Sequence, residues 1–147
     1  MILPALILNN YPGTPYADWV KHGNKTIETR MNRLFSHRGD IIICCGKTNS
    51  VGPNAGRALC IVDIYKGRPM ANNAEEIKAA CIGWDINRKS LLLRNWRHFN
   101  DDFIFMPFVV NKNFQGIFSI NIPDYITIIP RPDILPFNEP KDINLFT

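Results

Sequence analysis

The segment from Gly23 to Arg30, with the sequence GNKTIETR, places two cations, a carboxylate and two hydroxyls within a few residues of one another. Arg30 can bind a phosphate or carboxylate through two parallel hydrogen bonds, and Lys25 can act as a mobile point charge. Glu28 can accept hydrogen bonds from a base or sugar, or act as a general base. Burial can lower the pKa of Lys25 and prepare it for the same task. The segment therefore predicts a ligand site in which Lys25 and Glu28 are the candidate catalytic residues.

The sequence before this segment predicts a short helix that ends at it. Thr14 can cap the helix with its hydroxyl, Pro15 suits the first helical position, and Gly23 can supply a left-handed exit. We therefore expect the polar segment to lie at the foot of a helix.

An extended run over residues 25–30 follows the predicted helix. Alternate side chains of a strand lie on the same face, so Thr26, Glu28 and Arg30 would face one way. These three are therefore predicted ligand-binding residues together with Lys25. Glu28 and Arg30 can equally well pair with each other, in which case the motif only braces the helix against the sheet.

Two other regions supply candidate ligand contacts. Trp19, on the predicted helix, can form a stacking wall for a base, although core packing is the commoner role of such a ring. The polar loop over residues 47–56 can form a rim or a phosphate cradle, and its candidate contacts are Lys47, Thr48 and Asn49. The alternative is a flexible surface loop, and the loop lacks the spacing of a P-loop.

A longer pattern runs through these residues. It consists of Pro15-Tyr16-Ala17, Gly23-x-Lys25-Thr26-x-Glu28-x-Arg30 and Arg38-Gly39-Asp40, with further matches at Trp84-Asp85-Ile86 and Gln115-Gly116-Ile117-Phe118. Over residues 3–120 this pattern resembles the ASCH domain family.

The resemblance implies a small β-barrel related to the PUA RNA-binding domain, with RNA bound in a cleft beside the motif. One branch of the family looks like an amidohydrolase of acetylated cytidine that uses the motif lysine, a nearby threonine and a glutamate. Lys25 matches that lysine, but Glu28 stands where the threonine would be. The resemblance therefore implies an RNA- or nucleotide-binding protein. Its alternative is a small metal-independent hydrolase acting on a modified nucleoside or on RNA.

Charge and cysteine usage restrict the partners and the compartment. Seven basic and two acidic residues lie between Lys21 and Arg57, so this stretch carries a net charge of +5 against +4 for the whole chain. A basic zone favours phosphate or nucleic acid, although a solvated basic face is the alternative. The four cysteines lack Cys-x-x-Cys spacing, which favours reduced thiols in the cytoplasm. No spacing typical of a metal or cofactor site occurs, so we expect neither.

Short strands separated by turn signals dominate the rest of the chain. Strands are predicted at residues 3–8, 40–45, 57–65, 103–110 and 116–120, with an edge strand within 125–129. Leu59, Ile61 and Asp63 are expected to alternate with Cys60, Val62 and Ile64. Asn73 can cap a helix that runs toward Cys81. Residues 90–99 are ambiguous, because Leu92, Trp96 and Phe99 fit one helical stripe whereas Leu91 and Leu93 fit it poorly. Together with the resemblance, this pattern predicts an α+β fold, a small and mostly antiparallel PUA-like β-barrel decorated by short helices.

The chain is long enough for one domain, which we place at residues 1–129. Residues 130–147 are rich in proline and are predicted to form a strap packed on that domain, because their apolar side chains need cover. The apolar start of the chain reads as a buried strand rather than a signal peptide. No apolar run is long enough to cross a membrane.

Overall fold

The computed structural model of the chain describes residues 1–105 and 116–140. Most of the predicted strand at 103–110 and the last part of the predicted strap lie outside these ranges.

The described residues form two short helices and nine strands. The helices are α1 (Tyr16–His22) and α2 (Ala74–Ala80). The strands are β1 (Ile2–Leu8), β2 (Asn10–Tyr11), β3 (Thr14–Pro15), β4 (Ile27–Met31), β5 (Gly39–Cys45), β6 (Arg57–Pro69), β7 (Arg88–Ile104), β8 (Phe118–Asn121) and β9 (Ile128–Pro130).

Seven of these strands form one sheet, in the order β4-β7-β6-β5-β1-β8, with β9 paired to β7. The pairing of β1 with β5 is parallel, and the other pairings of this sheet are antiparallel. The sheet curls into a half-barrel. The predicted α+β fold, a mostly antiparallel PUA-like sheet with short helices, is therefore confirmed.

Strand β6 shows why simple alternation is an incomplete guide to the core. Its register against β7 shifts between Ala58 and Cys60 and again between Ile61 and Asp63. A bulge adds a residue to one strand and turns the following side chains to the other face. As a result Leu59 and Cys60 lie in the same core cluster, and the predicted alternation of Leu59 against Cys60 is wrong.

Helix α1 begins differently from the prediction and ends as predicted. Thr14 pairs with Tyr11 in a two-residue ladder, and the N-cap position belongs to Pro15, which makes no side-chain cap. The predicted Thr14 cap is therefore wrong. The Asn10 side chain caps the first turn of the helix instead, because Asn10 Oδ1 accepts a hydrogen bond from the Asp18 amide at 3.1 Å. Gly23 does supply the left-handed exit, with a φ of 81°.

The uncertain segment at residues 90–99 is part of β7. Leu91, Leu92 and Leu93 are all buried, because the half-barrel interior covers one face of the strand and α2 covers the other. A strand buried on both faces shows a continuous apolar run, which explains why Leu91 and Leu93 do not fit a helical stripe.

Helix α2 is fixed to the sheet through Glu76, whose side chain is buried. Asn73 caps the helix as predicted by accepting from the Glu76 amide at 2.8 Å. The Glu76 carboxylate accepts from both terminal nitrogens of Arg68, at 2.6 and 2.7 Å, and from Ser90 Oγ at 2.9 Å. These contacts join the first turn of α2 to β6 and β7.

The chain beyond β9 packs on the rest of the structure as far as residue 140. Ile134 lies against the core cluster under α1, and a Cβ on Gly23 would come within 2.5 Å of its Cγ2 atom. Glu139 pairs with Lys66 at 3.0 Å and with Arg68 at 2.7 Å. The division into a domain over residues 1–129 and a strap over 130–147 stays a prediction. Within the described ranges, no helix has the length and apolar character that crossing a bilayer requires.

Candidate functional site

A cavity of about 190 Å³ lies between β4 and the C-terminal part of β1. Strand β8 pairs with β1 only from Ile2 to Ala5, and β4 is the terminal strand at the other end of the sheet order. The curl of the sheet brings these two regions together, and Arg30 Nη2 donates to the Ile7 carbonyl across the gap at 3.0 Å. The cavity is lined by Ile7, Leu8, Asn9, Tyr11, Tyr16, Lys25, Glu28, Thr29, Arg30, Ile82 and Arg88.

Lys25 is the most deeply buried cation of this cavity, with 2% of the residue exposed. Its Nζ donates to the Ala80 carbonyl at the end of α2 and lies 3.5 Å from Glu28 Oε1. The same ammonium lies 5.3 Å from the centre of the Tyr16 ring. Burial lowers the pKa of Lys25, and the Glu28 carboxylate opposes this effect. Two helices and one strand thus converge on this amino group.

Glu28 connects the charged groups of the site. Its Oε1 accepts from the Thr29 amide at 2.9 Å, and its Oε2 lies 3.1 Å from Arg30 Nη2. Together with Lys25, this gives one buried carboxylate between two cations. The predicted Glu28–Arg30 pair is therefore present, and it forms part of a cavity wall.

Two arginines give the cavity an excess of donors. Arg88 Nη1 donates to Thr29 Oγ1 at 3.4 Å, and Arg30 reaches the Ile7 carbonyl. The Nε atoms of Arg30 and Arg88 are both buried, and neither has an acceptor within the described residues. The lining carries three cations against the single carboxylate of Glu28. An acceptor-rich, anionic ligand would complement these groups.

Thr26 is buried and does not line the cavity. Its amide donates to the Ala79 carbonyl at 2.9 Å, and its own carbonyl accepts from Leu93. The Lys25 amide similarly donates to the Trp19 carbonyl at 3.0 Å, so β4 begins at Ile27 rather than at residue 25. Thr26 therefore serves to join the start of β4 to α2, and its contact with a ligand stays a prediction.

The other predicted contacts also lie outside the cavity lining. Trp19 is half-buried and makes an edge contact with Tyr16, with 5.8 Å between the ring centres. Lys47, Thr48 and Asn49 are exposed in the loop after β5. The structure thus brings together Lys25, Glu28 and Arg30 but not these four residues, whose role in binding stays a prediction.

Sequence reasoning missed Arg88 and the wall formed by residues 7–9. Arg88 enters the site through the pairing of β7 with β4, in which it lies opposite Met31. Residues 7–9 enter through the curl of the sheet. Residues 88–99 carry basic and aromatic side chains, but no local pattern tells which strand they join. In the described part of the chain, no three His, Cys, Asp or Glu side chains are grouped as a metal site would require.

Comparison with known families found one match. The model of the ASCH domain matches residues 13–101, which is more than half of the chain and includes Lys25, Glu28, Arg30 and Arg88. A search of curated proteins found no match. The motif, the half-barrel and this match agree with one another. The chain therefore belongs to the ASCH domain family, within the PUA-like superfamily.

Proposed function

We propose that this protein binds RNA, or a nucleotide-like ligand, in the cavity between β1 and β4. Membership of the ASCH family supports RNA binding at the level of the family. The observation that carries the proposal is the charge of the cavity, where three cations face one carboxylate and two buried Nε–H groups have no acceptor within the described residues. A cytoplasmic location, expected from the four free cysteines, is part of the same proposal.

The groups of the cavity suit the parts of a nucleotide. Guanidinium groups such as those of Arg30 and Arg88 recognise phosphate through charge-assisted hydrogen bonds. The Glu28 carboxylate can accept from the amino group of a base, and the Tyr16 ring offers an apolar surface for stacking. A cavity of about 190 Å³ is too small for a duplex. The ligand is therefore an unpaired nucleotide, either free or within a single strand.

The test compares Arg88→Gln with Arg94→Gln, which makes the same change at an exposed position outside the cavity lining. Loss of one charge-assisted contact should lower the affinity for a single-stranded RNA by about tenfold or more. Fluorescence anisotropy across a range of salt concentrations should also show a shallower salt dependence for Arg88→Gln. Arg94→Gln should bind as the wild type does. Equal effects of the two substitutions, or no binding by the wild type at low salt, would contradict the proposal.

A small metal-independent hydrolase acting on a modified nucleoside or on RNA is the second candidate. It is favoured by one observation, the lowered pKa of the buried Lys25 beside Glu28, since a neutral amine can serve as a general base. Incubation with acetylated cytidine and with RNA, followed by chromatography, separates the two candidates. A hydrolase should release products and lose turnover in Lys25→Met. Quantitative recovery of unchanged ligand from the wild type would leave binding as the function.

A further inference from the structure

A surface of cations and apolar side chains lies where the ladder between β4 and β7 ends, directly outside the cavity. We call it the rim, and it consists of Met31, Arg33, Trp84, Ile86 and Lys89. The ladder places Lys89 opposite Arg30 and Met31 opposite Arg88, so two rim residues are paired with two arginines of the cavity.

The cations of the rim lie beside the cavity and have no acidic partner within residues 1–105 and 116–140. The Arg33 guanidinium lies 4.7 Å from the centre of the Phe35 ring, and that of Arg30 lies 5.7 Å from the same ring. Phe35 thus places an exposed arginine next to one that lines the cavity. Neither Arg33 nor Lys89 forms an ion pair with another described residue, whereas Arg94 and Arg97 elsewhere on β7 do.

Two of the apolar side chains of the rim, Trp84 and Ile86, are presented by the loop between α2 and β7, whereas Met31 ends β4. Trp84 Nε1 donates to the Met70 carbonyl at 3.1 Å, and the Met70 amide donates to the Arg88 carbonyl at 3.0 Å. The indole is therefore fixed beside Arg88, and 39% of the residue is exposed. Ile86, two residues later, is 73% exposed. Asp85 is the acid of this loop, and its Oδ1 accepts from the Asn87 amide.

We propose that the rim binds the nucleotides next to the one in the cavity, so that the ligand is a strand of single-stranded RNA rather than a free nucleotide. This inference rests on the proposed function. An exposed arginine and a half-buried lysine beside an exposed aromatic ring provide the arrangement that single-stranded nucleic acid requires, because phosphates follow the cations while bases stack on the ring. Arg33 and Lys89 bind the flanking phosphates, and the Trp84 indole stacks with one flanking base.

The experiment compares two rim variants with a charge-matched control. The rim variants are Arg33→Gln/Lys89→Gln and Trp84→Ala, and the control is Lys78→Gln/Arg94→Gln, which changes the same residue types at positions outside the rim. Each protein is titrated with a single-stranded RNA of about eight nucleotides, a length within the usual site sizes, and with 5′-mononucleotides. Thermal melts check that each variant folds, since Arg33 and Trp84 are exposed but Lys89 is half-buried.

The double rim variant should bind the oligonucleotide at least about tenfold more weakly, and its salt slope should fall by about 1.4 for two lost phosphate contacts. Trp84→Ala should lower the affinity for the oligonucleotide by about fivefold to a hundredfold, the usual effect of removing the ring on which one base stacks. Mononucleotide binding should not change in either variant. If the wild type binds mononucleotides and the rim variants bind the oligonucleotide normally, the inference is overturned and the proposed function stands. If the wild type binds neither probe, the proposed function fails, and the inference fails with it.

Discussion

Replacing Glu28 with alanine should lower the free energy of unfolding by about 3–5 kcal/mol, because it leaves a buried cation without its partner. Glu28 is 7% exposed and is shared between Lys25 and Arg30. Arg30 keeps the Ile7 carbonyl as an acceptor. Among the described residues, Lys25 keeps the Ala80 carbonyl as its one acceptor, with the Tyr16 ring nearby. Lys25 is therefore the residue that makes the substitution costly.

The stability loss of Glu28→Ala should depend on pH. Burial lowers the pKa of Lys25, and the Glu28 carboxylate opposes that shift. Without the carboxylate the folded-state pKa falls further below the unfolded value of about 10.4. Between these two pKa values the unfolded chain binds more protons than the folded protein, so the stability of the variant rises with pH. The difference in the free energy of unfolding between Glu28→Ala and the wild type should therefore be smaller at pH 9 than at pH 7.

Urea denaturation at both pH values measures this effect. Asp101→Ala, which removes an exposed carboxylate, is the matched control and should change stability by no more than about 0.5 kcal/mol. Lys25→Met combined with Glu28→Ala should be more stable than Glu28→Ala alone, because the unpaired cation is then gone. A double variant that is less stable, or a difference that grows with pH, would show that Lys25 does not cause the loss.

Trp96→Ala should lower the free energy of unfolding by about 3–5 kcal/mol, the usual cost of removing a large aromatic side chain from a core. Trp96 is 1% exposed, and its Nε1 donates to the Val20 carbonyl of α1 at 2.6 Å. Trp96→Phe should lower the free energy of unfolding by less than Trp96→Ala does. It keeps most of the apolar contact and loses the hydrogen bond, which contributes about 1 kcal/mol. Urea denaturation compares Trp96→Ala with Trp96→Phe. The control is Trp84→Ala, which removes the same side chain at an exposed position.

The same substitution should weaken ligand binding, although Trp96 does not line the cavity. Trp96 holds α1 against β7, and the backbone of α1 holds Lys25 through the bond from the Lys25 amide to the Trp19 carbonyl. A loosened helix would release the ammonium from its place beside Glu28. If Trp96→Ala bound RNA as tightly as the wild type under conditions where it is folded, helix α1 would not position the site.

The central part of the site could be predicted because it is local in sequence. Lys25, Glu28 and Arg30 follow the glycine exit of α1 within eight residues, and their closeness in sequence is enough to bring their charges together. The fold class was equally accessible, since short strands with turn signals leave few architectures. In both cases the information lies within a few neighbouring residues.

The remainder depends on contacts between distant parts of the chain. Arg88 reaches the cavity only because β7 pairs with β4 in one particular register. The cap of α1 comes from Asn10, which a search for hydroxyls directly before the helix does not find. The bulges of β6 depend on the strand beside it, so its sequence alone shows an unbroken alternation. Register and curvature are properties of the assembled sheet.

The place of β1 in the sheet has a consequence for synthesis on the ribosome. This strand is translated long before β8 and lies between β5 and β8, with Ala5 paired to Phe118. Until residues 118–121 have emerged, one edge of an apolar strand in the nascent chain has no partner. Such an edge invites pairing with other chains. We therefore expect the growing polypeptide to depend on a chaperone until β8 has left the exit tunnel and can pair with β1.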